Sequence, residues 1–567
     1  MYPSPRTNPT ERTTKRRGRI VAAVLVVCLA AIVGRLFQLQ IVQHASWAAA
    51  AAAMQERTIE LPPRRGSIVD RDGELLAFDV KAMAIAVDGI HATRPDELAQ
   101  ILAEELGLLR GDASDLVDRA SYFTWVDRRV DIETARRIER RADEAGAYGL
   151  VFLDTWKRCY PQGSLASNVL GFVGTDGEGL EGIELAFDAH LRGEPRRVRV
   201  LEGADGRAYE VEVIEEGRPG NDLVLTLDAA LQFICEEEID AGVSRFRADG
   251  GMIVVLDPET GAVLAMAQDK TYDLNRFWTS TAEARRNLAV THLFEPGSSF
   301  KVFTGLAALE AGVVSVGDTF NGNDGISVFG HVMHNADHVS YGTVTFAQII
   351  EDSINTGMIR VAQRLGEEPL HAMLVGLGFG RKTGIDLPGE VGGILRDVED
   401  WSGLALASTS IGQSVAVTGI QLARAVAAVA NGGTLVRPHV AASDDARDEQ
   451  DVAPAVASSD VCATMRGLMV RVVESGTGIL AAVDGFPIAG KTGTAQKAIP
   501  GRGYVDGKYT SLFAGILTAG NPEYVLLVVL DEVKTTPVGG GSTAGPIFRE
   551  TASRLARQEQ LIPTAAY

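Results

Sequence analysis

Hydrophobic positions along this chain fall mostly into short alternating or helical runs, and one stretch departs from both. "IVAAVLVVCLAAIVG", Ile20 to Gly34, contains no charge, and "RLFQLQIV" carries the apolar character on to Val42. The charge-free run alone is shorter than the ~20 residues that span a bilayer and fits the core of a signal peptide. Its extension, with Arg35 able to snorkel towards the outer headgroups, favours an uncleaved anchor over 20–42. The rival is cleavage within Ala48 to Ala53. The preceding residues are basic, with Arg6, Arg12, Lys15, Arg16, Arg17 and Arg19 against a lone Glu11. Either way that flank stays in the cytoplasm and everything after about residue 43 is exported. No later segment has comparable length and apolarity.

Two textures follow. From Arg57 to about Glu215, strands, helices and charges are mixed. "RRGSIVDRDGELLA" (Arg64 to Ala77) predicts a hairpin that pairs Ile68 and Val69 with Leu75 and Leu76 around a turn at Asp72 and Gly73. "RPDELAQILAEELGLL" and "DIETARRIERRADEAG" carry helical periodicity, each with a glycine near its end. A Gly-rich cluster spans Gly171 to Asp188. No chemistry converges in this region, which reads as a scaffold. Near "RPGNDLVLTLD" (Arg218 to Asp228) the chain becomes richer in small and apolar residues, and it stays so to about Leu555. "GGMIVVLDPETGAVLAMA" predicts a hairpin around Asp257 to Gly261, and "YTSLFAGILTAGNPEYVLLVVLDE" another, turning at Gly520 to Pro522. Helical patterns lie between, such as Val302 to Leu309 and Gln421 to Ala430. Hairpins at both ends with helices between predict an antiparallel sheet covered by helices, an α+β fold. The expected organisation is a basic tail (1–19), an anchor (20–42), an elongated mixed pedestal (43–220), a main domain (221–557) and a short tail (558–567). Asp444 to Asp460 is acidic, polar and read as a loop.

Composition narrows the choice. A length of 567 residues leaves room for two to four domains, and 46% hydrophobic content supports buried cores. The net charge of −20 argues against nucleic-acid binding by the bulk of the molecule. Cys28, Cys159, Cys235 and Cys462 contain no CxxC pair and read as inert thiols. Of the histidines only His331, His334 and His338 cluster. Their flanks (Gly330, Asn335, Asp337) read as strand ends and turn, so no metal site is expected.

The candidate chemistry starts in "EPGSSFKVFTGLAALEAG", Glu295 to Gly312. A serine hydroxyl needs a base within hydrogen-bond reach before it attacks a carbonyl. On a helix, positions i and i+3 share a face whereas i and i+2 do not, which selects Ser298 over Ser299 as the partner of Lys301. Pro296 and Gly297 open the turn and leave Ser298 at the helix start. Unpaired N–H groups and the dipole there favour a neutral lysine and a developing oxyanion. Lys301 acts as a base near neutral pH only with a lowered pKa. Alone, the pattern more often describes an N-capping serine and a solvent-facing lysine. It is not alone. "EDSINTGM" holds Ser353 and Asn355 as the chain's one Ser-x-Asn, and "IAGKTGTAQ" holds Lys491, Thr492, Gly493 and Thr494. Ser-x-x-Lys, Ser-x-Asn and Lys-Thr-Gly, in this order, are the signature of serine penicillin-binding proteins and class A β-lactamases. Lys-Thr-Gly also occurs at Lys382 to Gly384. There Phe379 and Arg381 crowd it and Pro388-Gly389 follows at once, so it reads as a loop. Gly490 and Gly493 give the copy at 491 a smooth strand against which substrate backbone can lie.

At these residues the sequence resembles a class B penicillin-binding protein, a monofunctional peptidoglycan D,D-transpeptidase. "RLFQLQ" resembles the family's membrane exit. "RRGSIVDRDGELLA", "RCYPQGSLASNVLGFVG" and "GEGLEGIE" resemble its pedestal. "LVLTLDAALQ", "VVLDPETGAVLAMA", "RRNLAVTHLFEPGSSFK", "IDLPGE" and "SIGQSVAVTGIQLARAVAAVANGG" resemble its transpeptidase domain. The resemblance implies that Ser298 attacks the penultimate D-alanine carbonyl of a D-Ala-D-Ala stem peptide. Lys301 takes its proton, Ser353 relays protons and Asn355 holds Lys301 and the substrate amide. Lys491, Thr492, Gly493 and Thr494 receive the terminal carboxylate, and the backbone N–H groups of Ser298 and Thr494 form the oxyanion hole. An amine from a neighbouring strand then resolves the acyl-enzyme. β-Lactams are implied to acylate Ser298, no metal or organic cofactor is implied, and a SEDS-family glycosyltransferase and other division proteins are the implied partners. The sequence departs from relatives at Ile354, where many carry a small residue, and at Asp269-Lys270, where Ser and Pro are frequent. These affect substrate detail rather than reaction class.

Asn355 and a chain that ends soon after the main domain point to the division-type enzyme. The elongation type, often with Asp at that position, is the alternative. A membrane-anchored β-lactamase would need a water-activating carboxylate, and a stand-alone β-lactamase has no use for an anchor and pedestal. A β-lactam sensor needs several membrane segments or a cytoplasmic effector. An inert structural division component conflicts with an intact motif set.

Overall fold

The apolar stretch folds as one continuous helix, Pro9–Phe37, extended by one π turn, Gln38–Val42. Among the described residues, Thr14–Val42 is the one helix long and apolar enough to cross a membrane, and none of it is buried against the protein. The computed structural model describes residues 9–47, 56–89, 92–118, 123–202, 208–442, 455–499, 503–518 and 523–563. The start of the basic tail, the cleavage region Ala48 to Ala53, the turn Gly520 to Pro522, most of the acidic loop at 444–460 and the last residues of the tail lie outside them.

The chain divides into two compact units. The smaller comprises Met1–Pro63, Lys81–Trp156 and Glu194–Arg218. In it, strands Glu56–Leu61, Arg196–Glu202 and Ala208–Glu215 form an antiparallel sheet. The two predicted helices form as Pro95–Leu106 and Ile132–Ala145. Each ends on a left-handed glycine (Gly107, φ 68°; Gly146, φ 64°) whose missing Cβ lets the chain leave the helix. Leu98, Leu102 and Ile138 fill the core between them.

The larger unit comprises Arg64–Val80, Lys157–Gly193 and Pro219–Tyr567. Arg64–Val80 and Lys157–Gly193, read as pedestal from the sequence, therefore group with the main domain. Strand pairing explains part of this. Leu223 and Leu225 donate backbone N–H groups to Ser67 and Val69, so Ile68–Val69 runs parallel to Leu223–Val224. The expected hairpin is present, with Ile68 opposite Ala77 and Val69 opposite Leu75. Charge explains another part. Glu184 is wholly buried between Arg65 (Nε to Oε2, 2.6 Å) and Arg158 (Nε to Oε1, 2.7 Å), and Asp188 takes a second Arg65 nitrogen at 2.6 Å.

The larger unit is built on a five-stranded antiparallel sheet. Its spatial order is Val263–Gln268, Gly250–Leu256, Glu523–Asp531, Gly503–Thr518, Ile488–Ile499. The two hairpins seen in the sequence thus meet, with Val528 opposite Ile253. Every residue of Gly250–Leu256 is buried. A continuous apolar run of this kind belongs to a strand covered on both faces. Helices Ala229–Phe246 and Ala544–Gln558 cover one face, where Phe513, Phe548 and Ile239 pack. The almost wholly buried Gly419–Ala430 belongs to the larger core on the other face. Asp269, one of the two departures, accepts the Gly251 N–H at 2.9 Å and so ties off the start of an interior strand.

Removing Glu184 leaves Arg65 with Asp188, and Arg158 with Asp79, as their remaining carboxylate partners, and takes the shared one from both buried guanidinium groups. Loss of one partner of a buried ion cluster costs about 3–5 kcal/mol. Glu184→Ala is therefore expected to lower the midpoint of chemical denaturation sharply. An unchanged midpoint contradicts this account of the cluster.

Candidate active site

The site is assembled where the edge strand Ile488–Ile499 meets the serine turn. Gly297–Phe300 forms one turn of 3-10 helix that runs directly into the α-helix Lys301–Glu310. The sequence predicts Ser298 and Lys301 on the first turn of a helix. In a 3-10 turn, i and i+3 eclipse more closely than in an α-helix. Ser298 lines a cleft of about 850 Å³, and the Ser299 hydroxyl turns away to donate to the Pro296 carbonyl at 2.8 Å.

Two glycines allow the turn and the strand to touch. Gly297 has φ 54°, and a Cβ there would stand 2.5 Å from the Thr494 carbonyl oxygen and 3.2 Å from the Thr494 nitrogen. A Cβ on Gly493 would stand 2.6 Å from the Pro296 carbonyl. The space before Gly493 is thus occupied by the protein's own backbone. The smoothness of "AGKTGT" serves this contact, whereas the sequence suggested room for substrate. Gly490 is likewise hemmed in, since a Cβ there would stand 2.3 Å from the Phe513 ring.

The second element sits at a turn between helices Phe346–Glu351 and Asn355–Leu365. Ser353 adopts a left-handed φ of 60°, a conformation rare for serine and found most often where structure is over-determined around a functional group. Its carbonyl faces Lys301. The Lys301 amine donates to that carbonyl and to Asn355 Oδ1 (2.6 Å), and stands 3.1 Å from Ser353 Oγ. Lys491 reaches the same hydroxyl, at 2.8 Å. Asn355 is oriented from behind, its Nδ2 donating to the His334 carbonyl at 2.8 Å.

Both lysines are buried, 0% and 1% exposed, and among the described residues no carboxylate is in contact with either. Burial drives the Lys301 pKa well below the lysine range. Lys491 adds like-charge repulsion, and Asp337 opposes both only in part. Burial also pushes Lys491 down, to about 7. The hydrogen bonds fit a neutral Lys301. Its two N–H groups go to the two acceptors that cannot donate, the Ser353 carbonyl and the Asn355 oxygen. Its lone pair is left for a hydroxyl. Ser353 then accepts from Lys491 and can donate to Lys301. Among the described residues Ser298 Oγ makes no hydrogen bond, and apo geometry of this kind tightens when substrate enters.

Thr492 and Thr494 line the cleft, with Lys491 beneath them. Three contributors were not singled out from the sequence. Thr477 Oγ1 lies 3.0 Å from Thr492 Oγ1. Gly540 donates its N–H to Thr494 Oγ1 at 3.1 Å, and a Cβ there would strike the Gly493 carbonyl at 2.6 Å. Glu295 accepts the Ser414 N–H at 2.9 Å and the Tyr504 hydroxyl. The Gly-rich "ESGTG" and "VGGGS" were the available signals for the first two. The second Lys-Thr-Gly is a loop, as read: Glu390 accepts the Thr383 hydroxyl at 2.6 Å and the Gly384 N–H at 3.1 Å. Ile354 is buried in the core.

With this geometry in place the comparisons are direct. Residues 251–553 match the penicillin binding protein transpeptidase domain, and residues 60–225 the penicillin-binding protein dimerisation domain. The chain belongs to the class B penicillin-binding proteins, which carry a transpeptidase domain of α+β fold. It is 33% identical to penicillin-binding protein PbpB of Mycobacterium tuberculosis over 96% of this chain and 85% of the relative. It is 32% identical to the probable peptidoglycan D,D-transpeptidase PenA of Neisseria meningitidis serogroup A, over 96% and 94%. A crystal structure of penicillin binding protein 3 of Mycobacterium tuberculosis complexed with aztreonam superposes with a TM-score of 0.67 at 29% identity, over 90% of this chain and 100% of that one.

Two outcomes follow from the geometry. Gly297→Ala is expected to slow acylation by benzylpenicillin about 100-fold or more, since displacing a nucleophile by 1 Å costs that much. Gly312→Ala is the control, sharing a left-handed φ (61°) with nothing within 4 Å of its Cβ position. Equal rates in the two variants contradict the close-approach argument. The second outcome is a pH profile. Acylation of the free enzyme by anionic benzylpenicillin falls above about pH 7 as Lys491 loses its charge, and falls at acid pH as Lys301 gains a proton. Lys491→Arg, cationic throughout, is expected to lose the alkaline limb and keep the acid one.

Proposed function

We propose that the protein is the septal peptidoglycan D,D-transpeptidase of its cell, cross-linking stem peptides through an acyl-enzyme on Ser298. In this reading Ser298 attacks the carbonyl of the penultimate D-alanine while neutral Lys301 takes its proton. The bond to the terminal D-alanine breaks, with the proton returned to the leaving amine through Ser353. The backbone N–H groups of Ser298 and Thr494 hold the oxyanion. Lys491, with the Thr492 and Thr494 hydroxyls on the strand through Gly493, attracts the terminal carboxylate. Asn355 holds Lys301 and the substrate amide. An acceptor amine, deprotonated along the same path, then attacks the ester and forms the cross-link. The observation that carries this reading is the pair of buried amines meeting one hydroxyl beside an unengaged serine.

β-Lactams, which imitate the D-Ala-D-Ala end, are expected to acylate Ser298, and a structural relative complexed with aztreonam supports this. Asn355, where elongation-type relatives often carry Asp, supports the septal role. So does similarity to FtsI of Escherichia coli, 28% identical over 97% of this chain. The apolar helix Thr14–Val42, which carries Lys15, Arg16, Arg17 and Arg19 in its first turns, supports a single anchor in the cytoplasmic membrane with the catalytic domain outside. Strand polymerisation then falls to a partner, in this reading a SEDS-family glycosyltransferase acting with other division proteins.

Fluorescent penicillin labels the wild-type chain and fails to label Ser298→Ala if the reading is right. Labelling that persists in the variant overturns the site. Depletion in the native cell is expected to give filaments; rounded cells overturn the septal assignment in favour of elongation.

A further inference from the structure

The histidines set aside on sequence grounds are regrouped by folding. Asp324 Oδ2 lies 2.9 Å from His334 Nδ1 and 3.4 Å from His338 Nδ1, and the three donor atoms lie within 4.8 Å of one another. His331, on the strand His331–Met333, is not part of the group. Spacing along the chain hides the cluster because Asp324 enters from before a hairpin and the histidines from after it.

The carboxylate is held from outside. Asp324 Oδ1 accepts the Asn335 N–H at 2.7 Å, and the Asp324 N–H donates to Ser340 Oγ at 3.1 Å. Outer hydrogen bonds of this kind orient ligating carboxylates and leave the second oxygen for an ion. His338 has a left-handed φ of 58°, secured by its N–H to the Asn335 carbonyl at 3.1 Å. A ring-bearing residue in that conformation is uncommon and invites a functional reason.

We propose that Asp324, His334 and His338 bind a divalent transition-metal ion, zinc being the one their chemistry fits. Two imidazole nitrogens and one carboxylate oxygen are a borderline donor set suited to Zn²⁺, with the fourth tetrahedral position left to water. Both rings bind as neutral imidazoles through Nδ1, so the ion replaces hydrogen bonds to Asp324. The site takes no part in acyl transfer. It fastens the 334–338 loop, whose His334 carbonyl orients Asn355 and whose Asn335 side chain accepts the Thr356 N–H at 3.0 Å. The competing arrangement has no ion, with two Nδ1–H groups donating to one oxygen. This inference is independent of the septal reading.

The test uses the tag-free full chain in detergent, stripped with chelator and desalted, then titrated with Co²⁺ and Zn²⁺. One equivalent of Co²⁺ is expected to bring up visible d–d absorption, which Zn²⁺ then displaces. Asp324→Asn and His338→Ala are expected to weaken binding at least 10-fold, while His331→Ala leaves it unchanged. The far-UV circular dichroism of each variant reports folding. Absence of the absorption in the wild type, or its persistence in folded His338→Ala, overturns the proposal.

Discussion

Two buried amines cannot both stay charged around one hydroxyl. Lys301 and Lys491 both reach Ser353 Oγ, at 3.1 and 2.8 Å, almost wholly shielded from solvent and with no carboxylate partner among the described residues. Charging both would add like-charge repulsion to two desolvation costs. The lower-energy arrangement charges one and leaves the other as a base, and the two titrate as a pair. Burial and the neighbouring Lys491 push the Lys301 pKa well below the lysine range, which favours Lys301 as the neutral member. Burial thus favours an uncharged amine, with no histidine or carboxylate among the described residues in contact with either lysine.

The fold exists around this requirement. The sheet is covered on both faces, and Ile488–Ile499 is one of its two edge strands. The serine turn is pressed against it through Gly297 and Gly493: the Thr494 carbonyl fills the space a Cβ on Gly297 would need, and the Pro296 carbonyl the space a Cβ on Gly493 would need. Lys301 is carried inward because it is the first residue of a buried helix. The Ser353 turn closes over it from helices anchored by a capping box at Thr345 and Gln348.

Much of this was legible in the sequence, and the reasons differ by element. Apolar runs such as "MIVVL" and "YVLLVVL" beside turn residues announced hairpin strands, and Gly107 and Gly146 marked helix ends by their conformational freedom. The i, i+3 spacing selected Ser298, and the two Lys-Thr-Gly copies were separable by their neighbours. Burial was not legible. Nothing in the composition says that Lys301 and Lys491 lose contact with solvent, since both sit in ordinary polar motifs. Nor could the reason for Gly493 be read, because the carbonyl it meets, on Pro296, is almost two hundred positions away. The Arg65–Glu184–Arg158 cluster and the approach of Asp324 to His334 were hidden for the same reason. Periodicity reports local structure, whereas these contacts are made by the path of the chain.

The neutral state of Lys301 is most directly measured by NMR of the full chain labelled with 15N at lysine side chains. The Lys301 resonance is assigned by its absence in Lys301→Gln. It is predicted to titrate well below the ordinary lysine value of about 10.4 and to be an amine at neutral pH. A Lys301 signal that titrates near that ordinary value would contradict the account.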